Sequence, residues 1–277
     1  MSGPPLALHG VEAGRGTPLL VLHGFTGSTL SMAGVAAGLQ GRYRVLRLDL
    51  VGHGNSPAPR RPAAYSMERC VAQIAHALDA RAIERAHVIG YSMGGRAALA
   101  LAAWRPERVN SMLLIGTSAG LADPKARAER VRDDEALAQR IERDGLENFV
   151  DAWMALPLFA SQRRLGVQAL SAARAQRLRN CPHGLANSLR GMGSGAQPPL
   201  HTQLAQLQVP VLLIHGVEDA KFGRIAQELA AALPRGRALA IPDAGHACHL
   251  EAPGAFLELA REFIAECESS AGVGASA

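Results

Sequence analysis

The feature that most restricts how this chain can fold is a series of short apolar segments separated by longer stretches with helical patterning. The apolar segments are TPLLVLHG (17–24), YRVLRLDLVGHG (43–54), RAHVIGYS (85–92), VNSMLLIGTS (109–118), VPVLLIHGVED (209–219) and RALAIPDAGH (237–246). Nearly continuous apolar character is typical of strands buried on both faces, and alternation with helices favours parallel pairing. We therefore predict an α/β fold with a mostly parallel central sheet and helices on both faces.

Residues 121–200 interrupt this alternation and have mostly helical patterning, with turns predicted at Gly145, Pro157 and Pro182. We interpret this segment as a helical cap inserted between two parts of one core, residues 1–120 and 201–268. The final residues, 269–277, are small and polar, which predicts a disordered tail.

Composition limits the classes of partner. The longest apolar stretch, around AALALAAW, is too short to span a membrane, and the first residues lack the pattern of a signal peptide. The net charge of +5 is dispersed, aromatic residues make up 4% of the chain, and no nucleic-acid motif is present. We expect a small anionic substrate, with neither nucleic acid nor membrane as partner; whether the chain forms a homo-oligomer stays open.

The four cysteines, Cys70, Cys181, Cys248 and Cys267, are scattered and form no Cys-x-x-Cys pair. This spacing suggests neither a zinc site nor a disulfide framework, and we expect no metal and no cofactor. Cysteines without a disulfide framework favour a reducing compartment, so we predict a cytoplasmic location.

A candidate nucleophile lies in VIGYSMGGR (88–96), where Gly90, Ser92 and Gly94 form a Gly-x-Ser-x-Gly motif. The motif follows a predicted strand and precedes a predicted helix, which is the setting of a nucleophile elbow. Glycines on either side of the serine leave room for a tight turn. We predict that Ser92 exposes its hydroxyl at the carboxyl end of the sheet.

The partners of such a serine are expected in the chain order serine, acid, histidine. Asp219 ends the strand segment VPVLLIHGVED, and His246 lies in the loop PDAGHACHLEAP. We predict that Asp219 orients His246 and that His246 accepts the Ser92 proton. Glu218 and His249 are the competing candidates for acid and base.

An oxyanion hole would combine two backbone N–H groups. One is that of Met93, directly after the serine, and the other lies in HGFTGS (23–28), where Phe25 is our candidate. In that motif His23 is expected to be structural rather than a second base.

Arg96, four residues after Ser92, places a permanent cation on the same helix face as the serine. The segment 152–200 adds six arginines and contains no aspartate or glutamate: Arg163, Arg164, Arg174, Arg177, Arg179 and Arg190. These charges predict a pocket that binds carboxylates. The alternative for Arg96 is a structural ion pair beneath the cap.

The motifs HGFTGS, DLVGHGNS, GYSMGGR and AGHACH together resemble the α/β-hydrolase superfamily. GYSMGGR, EDAKF (218–222), DAWMALPLF (151–159) and the cap segment RLRNCPHGLANSLRGMGSGAQPPL (177–200) resemble one family in particular. It is the 2-succinyl-6-hydroxy-2,4-cyclohexadiene-1-carboxylate synthase family of menaquinone biosynthesis. One departure is Val51, where many members have proline.

This resemblance implies a lyase that removes a proton and eliminates pyruvate from 2-succinyl-5-enolpyruvyl-6-hydroxy-3-cyclohexene-1-carboxylate without consuming water. Ser92 would act as a base, and the oxyanion hole would hold enolate charge. The resemblance also implies substrate-binding residues in and near the cap: Arg96, Arg130, Arg179, Tyr91 and Trp153. Arg127 is the alternative to Arg130 if the first cap helix is shifted by one turn.

Two other functions stay open at this point. The same triad serves a hydrolase acting on a carboxylate-bearing ester, lactone or C–C bond. A binding protein built on this fold is the other alternative, which an intact serine, acid and histidine disfavour.

Overall fold

The computed structural model describes residues 4–274 of the chain. In this range the sheet has seven strands, β1 (Gly10–Ala13), β2 (Thr17–Leu22), β3 (Tyr43–Leu48), β4 (Ala86–Tyr91), β5 (Val109–Ile115), β6 (Val211–Gly216) and β7 (Gly236–Ile241). Their spatial order is β1-β3-β2-β4-β5-β6-β7, and each neighbouring pair is parallel except β1 with β3. The prediction of a mostly parallel sheet is confirmed.

The α-helices, in chain order, are α1 (Ala33–Leu39), α2 (Met67–Asp79), α3 (Met93–Trp104), α4 (Pro124–Asp144), α5 (Leu146–Met154), α6 (Gly166–Arg177), α7 (Pro182–Met192), α8 (Ala220–Ala232), α9 (Cys248–Glu251) and α10 (Pro253–Gly274). No helix within residues 4–274 combines the length and apolar composition needed to cross a bilayer.

Helices cover both faces of the sheet because alternate strand residues point in opposite directions. In β2, Leu20 and Leu22 pack into a core with α2, α3 and α8, whereas Leu19 and Val21 pack into a second core with α1 and α10. All four leucine and valine side chains are fully buried. The continuous apolar run in this segment therefore reflects burial on both faces.

The strand order places a crevice at the centre of the sheet. From β2 the chain moves to β3 on one side, and β4 then pairs with the other side of β2. The loops after β2 and β4 consequently diverge at their carboxyl ends, which is where parallel sheets of this kind hold their ligands.

Between β5 and β6 the chain forms α4 to α7 and a 3₁₀ segment, Pro157–Leu165. Three of these helices, α4, α5 and α7, share their own apolar core, formed by Ala138, Ile141, Phe149, Val150, Leu185, Ala186 and Leu189. Gly145, with a φ of 84°, separates α4 from α5, and Pro182 begins α7. We name the helical segment 121–200 the cap.

The last helix, α10, continues into the predicted disordered tail, 269–277, and ends at Gly274. The Ser269 and Ser270 hydroxyls donate to the carbonyl oxygens of Ala265 and Glu266, so both serines are accommodated within the helix. The structure thus describes residues 269–274 as the end of α10, and residues 275–277 lie outside the described residues; disorder of the tail stays a prediction.

Candidate active site

Ser92 lies in a strained turn between β4 and α3, with a φ of 49° and a ψ of −107°. Such a backbone conformation costs about 1–3 kcal/mol for a residue other than glycine, so the surroundings must hold it. The Ser92 N–H donates to the Ile115 oxygen at 2.8 Å, and the Thr117 hydroxyl donates to the Ser92 oxygen at 2.9 Å. A Cβ atom at Gly94 would lie 2.5 Å from the Leu22 oxygen, which explains the glycine.

The structure brings Ser92 together with Asp219, after β6, and His246, after β7. His246 Nδ1 lies 2.7 Å from Asp219 Oδ2, and His246 Nε2 lies 3.4 Å from Ser92 Oγ. Asp219 and His246 are both buried, at 7% and 3% exposure. With Nδ1–H donating to the carboxylate, the Nε2 lone pair faces the serine, so His246 can accept its proton once the contact tightens.

The competing acid and base lie elsewhere. Glu218 is exposed and pairs with Arg164, with 2.9 Å between Oε1 and Nη2. His249 is buried against Tyr91, with ring centroids 4.6 Å apart. Burial and the neighbouring His246 lower the pKa of His249 to about 3. Neither side chain contacts Ser92.

Two backbone N–H groups are available next to the serine. Met93 is the first residue of α3, so its N–H has no acceptor within the helix. Phe25 follows β2, on the other side of the central crevice, and lines the same cavity as Ser92 and Met93. This arrangement is suited to holding an oxygen on which negative charge develops.

His23 and Asp49 maintain the loops behind the site. His23 Nε2 accepts the Leu50 N–H at 3.0 Å, and its Nδ1–H donates to the Gly24 oxygen at 2.7 Å. Burial lowers the His23 pKa, so the ring is neutral. Asp49 accepts the Thr29 N–H at 2.5 Å. Both side chains are occupied by the backbone, as a structural role requires.

A cavity of about 790 Å³ lies between the cap and the carboxyl ends of the strands, with Ser92 and His246 in its wall. An aromatic group from the cap lies over the triad: Trp153 lies 5.3 Å from the Phe25 ring, and Phe159 lies 6.1 Å from the His246 ring. From the core, Phe222 approaches His246 at 4.6 Å. Neither the presence of Phe159 in the site nor the contact of Phe222 with the triad histidine was predicted from the sequence.

Tyr91 and Trp153, both predicted to bind substrate, lie in the wall of this cavity. Trp153 Nε1 is buried and has no hydrogen-bond partner among the described residues. Burial raises the pKa of Tyr91, so its hydroxyl stays protonated. Both residues therefore contribute an aromatic ring to the cavity wall.

Arg96 also lines the cavity, and its Nη1 donates to the Met192 oxygen at 2.7 Å and to Gln197 Oε1 at 2.6 Å. Both acceptors are neutral, so within residues 4–274 the structure forms no ion pair at Arg96. Burial, together with the positive charge of Arg130, lowers the Arg96 pKa to about 10. The guanidinium therefore stays charged at neutral pH and lacks a direct protein counterion.

Arg130, the second predicted arginine, lines the same cavity. Its Nε donates to Asp134 Oδ1 at 2.8 Å, one helical turn further along α4. Burial raises the pKa of Asp134, an effect that Arg130 opposes. Arg127, the alternative candidate, is not part of the cavity wall.

The structure does not place Arg179 in the cavity. Its side chain is exposed beyond the end of α6, whereas Arg177 is partly buried and approaches Tyr91. Arg177 is the last residue of α6, and Arg179 lies beyond the C-cap residue Leu178, where the chain has left the helix and the side chain is exposed. The prediction that Arg179 contacts substrate therefore disagrees with this geometry.

The acid-free cap segment is not a purely positive surface. Arg174 pairs with Asp151 at 2.6 Å, and Arg190 pairs with Glu135 at 2.9 Å. These acids lie outside 152–200 in the sequence but adjacent in space. None of the six arginines of that segment lines the cavity. The positive charge of the cavity comes instead from Arg96, Arg130 and Lys221, which line its wall.

Comparison with known proteins places this geometry in a family. A family model described as the alpha/beta hydrolase fold matches residues 17–253. A Bacillus subtilis (strain 168) protein, provisionally named 2-succinyl-6-hydroxy-2,4-cyclohexadiene-1-carboxylate synthase, is 43% identical over 89% of each chain. The Serratia proteamaculans (strain 568) protein of the same name is 34% identical over 89% of this chain and 92% of its own.

Solved structures of related proteins superpose on this chain. MenH from S. aureus superposes with a TM-score of 0.89 at 31% identity and covers 95% of this chain and 99% of its own. An enol-lactonase from Burkholderia xenovorans LB400 superposes with a TM-score of 0.81 at 25% identity, covering 93% of this chain and 96% of its own. The chain therefore has the α/β-hydrolase fold and belongs to the 2-succinyl-6-hydroxy-2,4-cyclohexadiene-1-carboxylate synthase family.

Proposed function

We propose that this protein is a lyase that eliminates pyruvate from 2-succinyl-5-enolpyruvyl-6-hydroxy-3-cyclohexene-1-carboxylate and forms 2-succinyl-6-hydroxy-2,4-cyclohexadiene-1-carboxylate in menaquinone biosynthesis. The observation that carries the proposal is a Ser-His-Asp arrangement facing a cavity in which the Arg96 guanidinium donates to two neutral oxygens and forms no ion pair within residues 4–274. A substrate with several carboxylates supplies the missing counterion.

The reaction begins with the proton on ring carbon 2, next to the succinyl ketone. Ser92 Oγ removes this proton while passing its own to His246, and Asp219 stabilises the imidazolium that forms. The electron pair of the broken C–H bond moves toward the ketone and gives an enolate. The N–H groups of Phe25 and Met93 hold the enolate oxygen, as they would hold a tetrahedral oxyanion.

Collapse of the enolate forms the C2–C3 double bond, shifts the ring double bond to C4–C5 and breaks the bond from C5 to the ether oxygen. Pyruvate leaves as its enolate and takes up the proton carried by His246. The triad thereby returns to its starting state, and no water molecule is consumed.

Arg96 and Arg130 supply the positive charge that binds carboxylates in this scheme. Phe159 and Phe222 pack against His246, and Trp153 packs against Phe159; in this scheme the apolar wall that they form keeps water from the reacting carbon. Tyr91 contributes its ring to the same wall, where it packs against His246 with ring centroids 5.4 Å apart.

A hydrolase is the second candidate, because the same serine, histidine and N–H groups suit acyl transfer. A substrate such as a carboxylate-bearing ester or enol lactone would use the same cationic cavity. The two functions differ in whether water attacks a covalent serine adduct.

Parallel assays distinguish them. Purified protein is supplied with the enolpyruvyl cyclohexene substrate, and pyruvate is followed with lactate dehydrogenase and NADH; hydrolysis of 4-nitrophenyl acetate is measured in the same buffer. Rapid pyruvate release with negligible ester hydrolysis is the expected result. Ester hydrolysis without pyruvate release would replace the lyase with the hydrolase.

We also propose a cytoplasmic location and a small anionic substrate, with no nucleic-acid or membrane partner. Four free cysteines support a reducing compartment. Fractionation of native cells tests the location, which a periplasmic or membrane-bound protein would contradict.

A further inference from the structure

Gln197 is fully buried behind Arg96 and is not part of the cavity wall. Its Oε1 accepts from Arg96 Nη1 at 2.6 Å, and its backbone N–H donates to the Gly193 oxygen at 2.9 Å. Its Nε2 is buried without a hydrogen-bond partner among the described residues. The amide thus lies behind the cavity wall, where it is hydrogen-bonded to Arg96 and lies beside Gly120.

Gln197 is a neutral residue at a place where the surrounding side chains carry a net positive charge. Arg96 and Arg130 contribute two positive charges to this end of the cavity, and Asp134 contributes one negative charge that pairs with Arg130. One positive charge is left uncompensated. A glutamate at position 197 would have nearly the shape of glutamine and would neutralise that charge from behind.

A buried arginine must be held in place if it is to bind a carboxylate with little loss of conformational entropy. The two acceptors at Nη1, the Met192 oxygen and Gln197 Oε1, fix one edge of the guanidinium. Because Nη1 is occupied, Nε and Nη2 are the donors left for a bidentate contact.

We infer that Gln197 is a positioning residue that orients Arg96 and, by being uncharged, keeps its positive charge available for one carboxylate of the substrate. This inference rests on the proposed function and adds a specificity determinant to it. The Arg96 end of the cavity would bind a single carboxylate, because Arg96, Arg130 and Asp134 together leave one positive charge to be neutralised.

The test compares Gln197→Glu with Gln168→Glu. Gln168 is exposed on α6, so its variant adds the same charge away from the cavity. Pyruvate release gives kcat and KM, and thermal unfolding gives Tm. We expect Gln197→Glu to raise KM at least about tenfold, with a much smaller change in kcat, because its carboxylate competes with the substrate for Arg96. Its Tm should equal or exceed that of the wild type, since Arg96 gains a counterion.

A merely structural role for Gln197 would lower Tm and kcat together and leave KM unaffected. Gln197→Met keeps the volume and neutrality but removes the acceptor, and we expect it to raise KM about threefold to tenfold through looser positioning of Arg96. A KM within twofold of the wild type in either folded variant overturns the inference.

Ligand binding measured without turnover distinguishes an error in this inference from an error in the proposed function. Succinate, a simple dicarboxylate, should raise the Tm of the wild type and of Gln168→Glu but not that of Gln197→Glu. A wild type that binds succinate but releases no pyruvate refutes the lyase and retains the inference. Equal stabilisation of all three proteins by succinate refutes the inference.

Discussion

Replacing Arg96 by methionine removes the positive charge at the end of the cavity while keeping an unbranched side chain that fills the space. In the wild type, Nη1 is engaged by two neutral oxygens at 2.7 and 2.6 Å, which leaves Nε and Nη2 for the substrate. A hydrogen bond to a charged group contributes about 1.5–3 kcal/mol. Because the two bonds of a bidentate pair are not fully additive, we expect a loss of about 3 kcal/mol.

At 1.4 kcal/mol per factor of ten, this loss corresponds to a fall of about 150-fold in kcat/KM for pyruvate release. The fall should lie mainly in KM, since the carboxylate is paired in both ground and transition states. Steady-state assays of purified variants measure it, with circular dichroism confirming that the variant is folded.

Arg163→Met is the matched control. Arg163 is exposed on the cap and does not line the cavity, so its loss removes an equal charge from the protein without touching the site. Its kcat/KM should stay within about twofold of the wild type. If Arg96→Met and Arg163→Met have equal kcat/KM, Arg96 is structural and the account of anion binding is wrong.

Three further outcomes are expected. Asp219→Asn should lower kcat about 10³–10⁴-fold with its fold intact, because an amide favours the wrong tautomer of His246; a loss below tenfold in the pyruvate assay would contradict the triad assignment. Arg179→Ala should leave kcat/KM within about twofold, since its side chain is exposed; a large rise in KM would restore the sequence-based prediction. The free energy of unfolding should fall by on the order of 2 kcal/mol for each of His53 and His249 as pH drops from 6.5 to 5, as measured by urea denaturation. His53 is buried against the His23 ring, as His249 is against Tyr91, and burial lowers both pKa values to about 3, so in this window the unfolded chain binds protons that the native state does not. A flat profile would show that these rings are not buried in solution.

The sequence was most informative where one local pattern had one structural solution. Continuous apolar strands predicted the parallel sheet, and the Ser92 motif predicted a turn that the structure shows at positive φ. The edge strand β1 escaped prediction because its residues are only partly buried, so its four residues lack the apolar run of the other strands. A short antiparallel edge strand leaves little periodicity to detect.

Two features were harder to predict: which charged residues pair, and which side chains at a helix end point inward. Both depend on contacts between residues far apart in the sequence. The segment 152–200 contains no acidic partner for Arg190, yet Arg190 forms ion pairs with Glu135 and Glu142 of α4. Arg179 and Arg177 have the same chemistry, and only the end of α6 decides which faces inward. Gln197 gave no signal in the sequence beyond being a polar residue before two prolines; its role depends on its contact with Arg96, 101 positions away.

The proposed elimination requires that Ser92 acts as a base on ring carbon 2 and does not become acylated. The measurement that tests it most directly is the rate of pyruvate release from substrate carrying deuterium at that carbon, together with mass spectrometry of the enzyme quenched during turnover. We expect slower release from the deuterated substrate, no adduct on Ser92 and loss of activity in Ser92→Ala. Equal rates for the two substrates, with a covalent adduct on Ser92, would contradict it.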